Sequence, residues 1–389
     1  MTYFHWIAGS LLALAWFSRL LDAALGMPEV ADIARPEWAP TANARPARVS
    51  IIVPARNEEE HIGESLERLL RLDYANYEVI AINDRSTDRT GEVMEHVATG
   101  VRSLERLKVI HIDELPQGWM GKVHAMWAGA NQATGEWLLF TDADVLFRPD
   151  SLARALTYAE TEHADHVVLF PLMIMHSPGE TMMIAFFQSL FVFGHRPWKV
   201  ADPKSKDHMG VGAFNLVRRS VYEGIGTYRA LQFEVLDDMK LGKLVKEAGY
   251  AQRCVFGHDL ISLRWVKGAI GMVQNLTKNF FAIVSFQWPR ALASAFVLAF
   301  LNLGPFLGIG FAHGWARLPY AVALASIFGI YVGMSWRSDV PFYYFFLHPV
   351  SSFLFVYITL HSMLLTLGRG GVMWRGTFYP LEELRKGMV

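Results

Sequence analysis

Between Ala291 and Trp336 the chain carries one charged residue, Arg317, and between Val340 and Gly368 it carries no Asp, Glu, Lys or Arg. A bilayer core takes about 20 consecutive, mostly apolar residues per helix. Ala291–Phe311, Leu318–Trp336 and about 345–367 each reach that length. His313, Gly314, Arg317 and Pro319 break the first gap, and Arg337, Ser338, Asp339 and Pro341 the second. Three such stretches in series predict membrane helices rather than core helices of a soluble fold. A fourth apolar run, Trp6–Phe17, extends through Leu20, Leu21 and Leu25, with Arg19 and Asp22 near its end. Met1–His5 has no Lys or Arg, so an uncleaved anchor is expected rather than a signal peptide. Arg19, Arg35, Arg45 and Arg48 follow the run, which places the next domain in the cytoplasm. Three further spans would then put the tail outside, yet Arg369, Arg375, Arg385 and Lys386 favour the inside. One of the four segments is therefore expected to be re-entrant or interfacial.

Composition excludes several classes. With 52% hydrophobic and 19% charged residues the chain is neither disordered nor a coiled coil. A formal net charge of -1 gives no global basic field for nucleic acid. The single cysteine, Cys254, rules out an intrachain disulfide and cysteine clusters for zinc or iron–sulfur.

Between the anchors, residues 48–279 read as a soluble block. Strands are expected at Val49–Val53, Tyr77–Ile82, Leu107–Ile112, Trp137–Phe140 and His166–Phe170, with helices at Glu58–Leu72, Asp88–Ala98, Lys122–Ala133 and Ser151–Thr161. Regular alternation predicts an α/β domain with a mostly parallel, Rossmann-like sheet, whose ligands bind beyond the carboxyl ends of the strands. Polar clusters fall at those ends: Pro54-Ala55-Arg56-Asn57-Glu58, Asn83-Asp84 and Thr141-Asp142-Ala143-Asp144. No GxGxxG follows the first strand and no P-loop occurs, so neither a dinucleotide site nor a P-loop is supported.

Asp142 and Asp144, two apart, share a side in extended chain and suit a hard divalent cation that bridges phosphates, or else a helix cap. Asp84 reads as an acceptor for a nucleobase or ribose, or as a turn residue. Asp237-Asp238 precede a helical pattern and read as a general base or as caps. Lys122 and Arg264 read as phosphate clamps or as surface charges.

Taken in order, Pro54–Glu58, Asn83-Asp84, Asp142-Ala143-Asp144, Asp237-Asp238 and Arg264-Trp265 resemble the family 2 inverting glycosyltransferases. Gly118-Trp119-Met120-Gly121-Lys122 and the Trp374-Arg375-Gly376-Thr377-Phe378-Tyr379 tail are similar to the membrane-bound branch that includes hopanoid-associated, carotenoid and ceramide glycosyltransferases. The resemblance implies a GT-A fold, a nucleotide-diphospho-sugar donor, and Mg2+ or Mn2+. It further implies that Pro54, Ala55, Asn57 and Glu58 line the nucleotide pocket, that Asp84 holds the uracil or ribose, and that Asp142 sits by the sugar or ribose. Asp144, with Asp142, would hold the metal. Asp238 would be the catalytic base, beside Asp237 where Glu is common, and Arg264 and Trp265 would contact diphosphate and acceptor. Ile261 stands where the family's Gln is usual, which argues against a processive polymerase.

The expected organisation is an anchor at 1–26, a linker at 27–47, a GT-A domain at 48–279 with an interfacial helix at about 180–198, membrane helices at 290–368 and a tail at 369–389. The expected protein is a multi-pass enzyme of the cell (inner) membrane, its catalytic domain cytoplasmic. It would transfer a sugar, from a UDP-sugar by the resemblance, to the hydroxyl of a hopanoid, carotenoid or ceramide-like lipid. A polyprenyl-phosphate sugar transferase and a non-catalytic scaffold are the alternatives.

Overall fold

The structure, a computed structural model, describes residues 2–40, 46–100 and 106–387. Arg45, counted among the basic residues after the anchor, lies outside them. The chain forms two compact units. One is an α/β unit built mainly from Val30–Ile174 and Pro197–Arg264; the other is helical, from Met1–Glu29, Met175–Arg196 and Trp265–Arg385.

The chain opens with α1 (Thr2–Gly26) of the helical unit. The α/β unit then runs β1 (Val49–Ala55), α2 (Ile62–Leu69), β2 (Tyr77–Asp84), α3 (Thr90–Ala98), β3 (Leu107–Ile112), α4 (Gly121–Gln132), β4 (Trp137–Phe140), β5 (Leu146–Phe147), α5 (Ser151–Thr161), β6 (His166–Leu169) and β7 (Leu172–Met173). After α6 (Pro178–Gly194) of the helical unit come β8 (Asn215–Arg218), α7 (Arg219–Gly224), α8 (Asp237–Glu247), β9 (Gln252–Val255) and β10 (Ile261–Leu263). Seven strands form one sheet in the order β3-β2-β1-β4-β8-β6-β9. All pairs are parallel except those of β8, which lies antiparallel between β4 and β6. A second sheet, β5-β10-β7, flanks it in sequence.

Every residue of β1 and β4 is buried. Their near-continuous apolar sequence is what a parallel sheet covered on both faces requires. Val49, Ile52, Val79, Ile80 and Val167 are fully buried, each contributing about 1.5–3 kcal/mol. Pro54 is tolerated in this central strand for a local reason. The Ile52 carbonyl faces β4 and accepts from Thr141 N–H, so Pro54 faces the same way, but pairing with β4 stops at Ile52. The missing N–H of Pro54 leaves no ladder acceptor waiting.

Three differences from expectation stand out. β8 breaks the strand–helix alternation and supplies the antiparallel strand. The stretch expected as a linker is partly folded: Asp32 bridges Phe256 just past β9, and Trp38 packs edge-on against Tyr158 of α5 at 4.8 Å. Residues 175–196 and 265–279, expected within the soluble block, belong to the helical unit. Their apolar side chains find partners there: Met183, Ala185 and Phe186 of α6 are fully buried, with Phe186 against Phe355 at 4.8 Å.

The helical unit continues with α9 (Gly268–Ile283), α10 (Trp288–Phe311), α11 (Leu318–Ser335), α12 (His348–Arg369), a hairpin of β11 (Gly371–Trp374) and β12 (Thr377–Pro380), and α13 (Leu381–Lys386). Among the described residues, four helices are long and apolar enough to cross a membrane: Thr2–Glu29, Trp288–Phe311, Gly314–Ser335 and Phe342–Arg369. α10 runs through Pro305, which frees the carbonyl four residues earlier. That carbonyl, Leu301 O, accepts instead from Trp16 Nε1 of α1 at 2.8 Å. The same bundle buries a polar chain in which His348 bonds Tyr331 and Asn302, each at 3.1 Å. Buried polar groups in an apolar bundle need partners, and these have them.

Candidate active site

The carboxyl edge of the sheet is where β1, β2 and β4 release their polar loops. The first two loops are stitched together. Thr87 N–H donates to Asn57 Oδ1 at 2.8 Å, and Glu58 N–H donates to Thr90 Oγ1 at 2.8 Å. Asn57 and Arg85 adopt left-handed backbone, φ 53° and 54°, which turns both chains sharply at the strand ends. Pro54 and Ala55 are buried within β1, whereas Asn57 is exposed.

Asp84 is buried, and its carboxylate is held bidentately by Arg85 at 2.7 and 2.9 Å. Gly121, at the start of α4, lies directly over this pair: a Cβ there would come within 2.7 Å of Asp84 Oδ2. The next residue, Lys122, turns to a second acidic group. Its Nζ lies 2.7 Å from Asp142 Oδ1 and 3.7 Å from Asp237 Oδ2.

Asp237 and Asp238 open α8, where the helix dipole stabilises negative charge. Asp238 is aimed by two backbone donors: Gly212 N–H at 2.8 Å to Oδ2 and Met239 N–H at 2.7 Å to Oδ1. The Gly212 carbonyl in turn accepts from Asp142 N–H at 3.0 Å. One glycine peptide thus joins the loop after β4 to the first turn of α8. A Cβ on Gly212 would come 2.5 Å from Asp142 Oδ2, so only glycine fits without displacement.

Three carboxylates therefore surround one ammonium. Burial would lower the Lys122 pKa, but Asp142, Asp237 and Asp238 outweigh it and raise it, so the amine stays charged. Burial raises both Asp237 and Asp238; Lys122 opposes this, and the neighbouring carboxylates add to it. The cluster has an excess of negative charge that a further cation would relieve.

Of the residues singled out in the sequence, Lys122, Asp142, Asp237 and Asp238 meet in this cluster, and Asp84 lies beside the N-terminus of the helix that carries Lys122. Asp144 sits partly exposed in a turn after β4, so the extended-chain argument that it shares a side with Asp142 does not apply. Among the described residues no three His, Cys, Asp or Glu side chains form a ready-made metal cage. Arg264 directly follows β10, whereas Trp265 belongs to the helical unit and packs on Phe187 at 4.7 Å. Ile261 is fully buried in β10. Arg85 and the backbone role of Gly212 were not legible in sequence. The only signal for the latter was the small-residue stretch Gly210-Val211-Gly212-Ala213.

The sequence profile described as Glycosyl transferase family 2 matches residues 50–226, the stretch that carries nearly all of β1, β2 to β8, and Asp84, Asp142 and Asp144. A 4,4'-diaponeurosporenoate glycosyltransferase of Staphylococcus aureus (strain MRSA252) is 22% identical over 89% of this chain and 92% of its own length. The enzyme of that name from Staphylococcus haemolyticus (strain JCSC1435) is 24% identical over 59% of this chain and 60% of its own. Among solved structures, the mannosyltransferase PcManGT from Pyrobaculum calidifontis, in complex with GDP-Man and Mn2+, is similar with a TM-score of 0.54 and 20% identity, over 92% of this chain and 99% of that one. Residues 50–226 are therefore a family 2 glycosyltransferase domain on a GT-A fold, accompanied among the described residues by one N-terminal and three C-terminal apolar helices.

Proposed function

We propose that this enzyme is anchored in the cell (inner) membrane by its four apolar helices, with the α/β unit in the cytoplasm. There it transfers a sugar, with inversion, from a nucleotide-diphospho-sugar to an apolar lipid. The observation that carries the reading is the Lys122–Asp142–Asp237–Asp238 cluster, in which Gly212 N–H orients one carboxylate oxygen of Asp238. Asp238 takes the proton from the acceptor hydroxyl as that oxygen attacks the anomeric carbon. The bond from that carbon to the diphosphate oxygen breaks on the opposite face, and the nucleoside diphosphate departs with the electron pair. A single displacement inverts the configuration.

The donor set fits a divalent ion of the Mg2+ or Mn2+ kind. It offers carboxylate oxygens only, with no closed protein cage, as expected for an ion completed by water and substrate phosphate. Asp144, with Asp142, would hold it. When bound it neutralises charge gathering on the diphosphate. Asp142 has one oxygen already committed to Lys122, so Asp144 is the principal ligand in this reading. Pro54, Ala55, Asn57 and Glu58 form the nucleotide side. Asp84, paired with Arg85, is assigned to the base or ribose by family resemblance, and its remaining lone pairs are the acceptors for it. Arg264 and Trp265 are assigned to the diphosphate and acceptor by family resemblance.

A polyprenoid acceptor is supported by relatives that match nearly the whole chain and are named 4,4'-diaponeurosporenoate glycosyltransferases. The test incubates detergent-solubilised enzyme with UDP-glucose, UDP-GlcNAc or GDP-mannose, Mn2+ and a total-lipid extract. Mass spectrometry should find a new glycolipid, NMR should show the inverted anomer, and EDTA should abolish its formation. Retained configuration, or full activity in EDTA, would overturn the mechanism. Asp238→Asn should keep donor binding and lose about 10²–10⁴-fold in turnover. Undiminished turnover would point to an acidic acceptor, phosphate or carboxylate, that needs no base.

A further inference from the structure

The Gly212 peptide that aims Asp238 lies on a loop, and something must hold that loop in place. Behind it sits a fully buried polar chain that the reaction does not use. Gln252, on β9, is 1% exposed; His166, on β6, is 0%; Asn215, at the start of β8, is 1%. Gln252 Oε1 accepts from Met209 N–H at 2.9 Å. Its Nε2, with two hydrogens to give, faces three acceptors: Met209 O at 3.1 Å, Gly242 O of α8 at 3.0 Å and His166 Nδ1 at 2.8 Å. His166 Nε2–H donates onward to Asn215 Oδ1 at 3.1 Å.

The polarity of this chain is fixed. Asn215 Oδ1 can only accept and Gln252 Nε2 can only donate, so His166 is the neutral tautomer with its proton on Nε2. One amide therefore contacts both backbone groups of Met209, as a neighbouring strand would, and shares its two hydrogens among Met209 O, a carbonyl of the helix that carries Asp238, and His166. Close approach is possible because glycines line the contact. A Cβ on Gly242 would overlap the Met209 carbonyl, and one on Gly210 would overlap the Asp238 backbone.

We propose that Gln252, locked by His166 and Asn215, is a positioning residue for sugar transfer: it clamps the Met209–Gly212 backbone to α8 and so fixes the Gly212 N–H that orients Asp238. This rests on the reading of Asp238 as the base. Gln252 touches no reacting atom. Its loss leaves the carboxylates and Lys122 in the chain but lets the loop drift, so turnover falls while donor affinity stays.

The test uses the full-length enzyme in detergent. Gln252→Glu keeps the acceptor for Met209 N–H and loses the donors facing Met209 O, Gly242 O and His166. It should lower kcat for sugar transfer from the active donor at least thirty-fold. The Kd for UDP or GDP with Mn2+ and the donor KM should stay within two-fold, with thermal unfolding still cooperative. Equal loss in kcat and donor affinity, or wild-type kcat, would overturn the proposal. Should Gln252→Glu fail to fold, hydrogen exchange of the wild-type enzyme decides: the Met209 and Gly212 amides should be protected like those of β9, and rapid exchange refutes the clamp. Asp238→Asn, run in parallel, separates the two ideas. If it stays active the base reading fails by itself; if it is dead while Gln252→Glu is normal, only the clamp fails.

Discussion

Replacing Gly212 by alanine is the sharpest probe of the site, because the structure sets the size of the disturbance. The glycine has no left-handed φ, so alanine introduces no backbone strain, and the whole effect comes from its methyl group. That Cβ would stand 2.5 Å from Asp142 Oδ2 and 3.4 Å from Lys122 Nζ. Real Cβ contacts stay beyond 3.0 Å, so the gap must open by at least about 0.5 Å. Asp142 cannot swing away freely, since Oδ1 is on Lys122 and its N–H is on the Gly212 carbonyl. The shift therefore passes into the ion pair or the Gly212–Asp238 hydrogen bond. Misplacement by about 1 Å can cost 10²-fold in rate. Half of that to all of it predicts a ten- to hundred-fold fall in kcat, about 1.4–2.7 kcal/mol of transition-state stabilisation. Initial-rate transfer by the purified variant measures it, with Gly271→Ala as control, where a Cβ meets nothing within 4 Å. A Gly212→Ala enzyme with wild-type kcat would mean that the Asp142–Gly212–Asp238 linkage does not position the reaction.

Three further outcomes are expected. Lys122→Met removes the cation that holds Asp237 and Asp238 down, so their pKa values, already raised by burial, rise further; turnover at pH 7 should fall and the acid limb of the pH–rate profile should move to higher pH, whereas an unmoved limb would contradict the cluster electrostatics. His166, pushed down to about 4 by burial against an ordinary 6.5, should make the fold acid-sensitive; the unfolded chain binds more protons between those values, so the contribution is complete above about pH 6.5 and is lost towards pH 4, by about 3 kcal/mol. His166→Gln should flatten the dependence of Tm on pH over that range, and an unchanged slope would exclude His166 as its source. Trp16→Phe leaves the Leu301 carbonyl beside Pro305 without its donor and should destabilise the bundle by about 1–3 kcal/mol in detergent melts, with no change if water replaces the indole.

The sequence alone determined the class of this protein because its signals are local. Nearly charge-free stretches at 291–336 and 340–368 became long apolar helices, and β-branched runs such as Val49–Val53 became the central strands. Acidic clusters fell at strand ends because the βα alternation put them there, and the family's motif order followed. Only the tertiary structure decided which of those charges meet. Lys122, readable as surface charge, is gathered among three carboxylates, while Asp84 turns to its neighbour Arg85. Gly212, Gly242, Gln252 and His166 gave no chemical signal, since a backbone N–H or a buried amide acquires its role from what the fold sets against it. Periodicity and composition act within a few residues of chain, whereas the distances that aim a carboxylate are set between segments far apart in sequence, and packing fixes them.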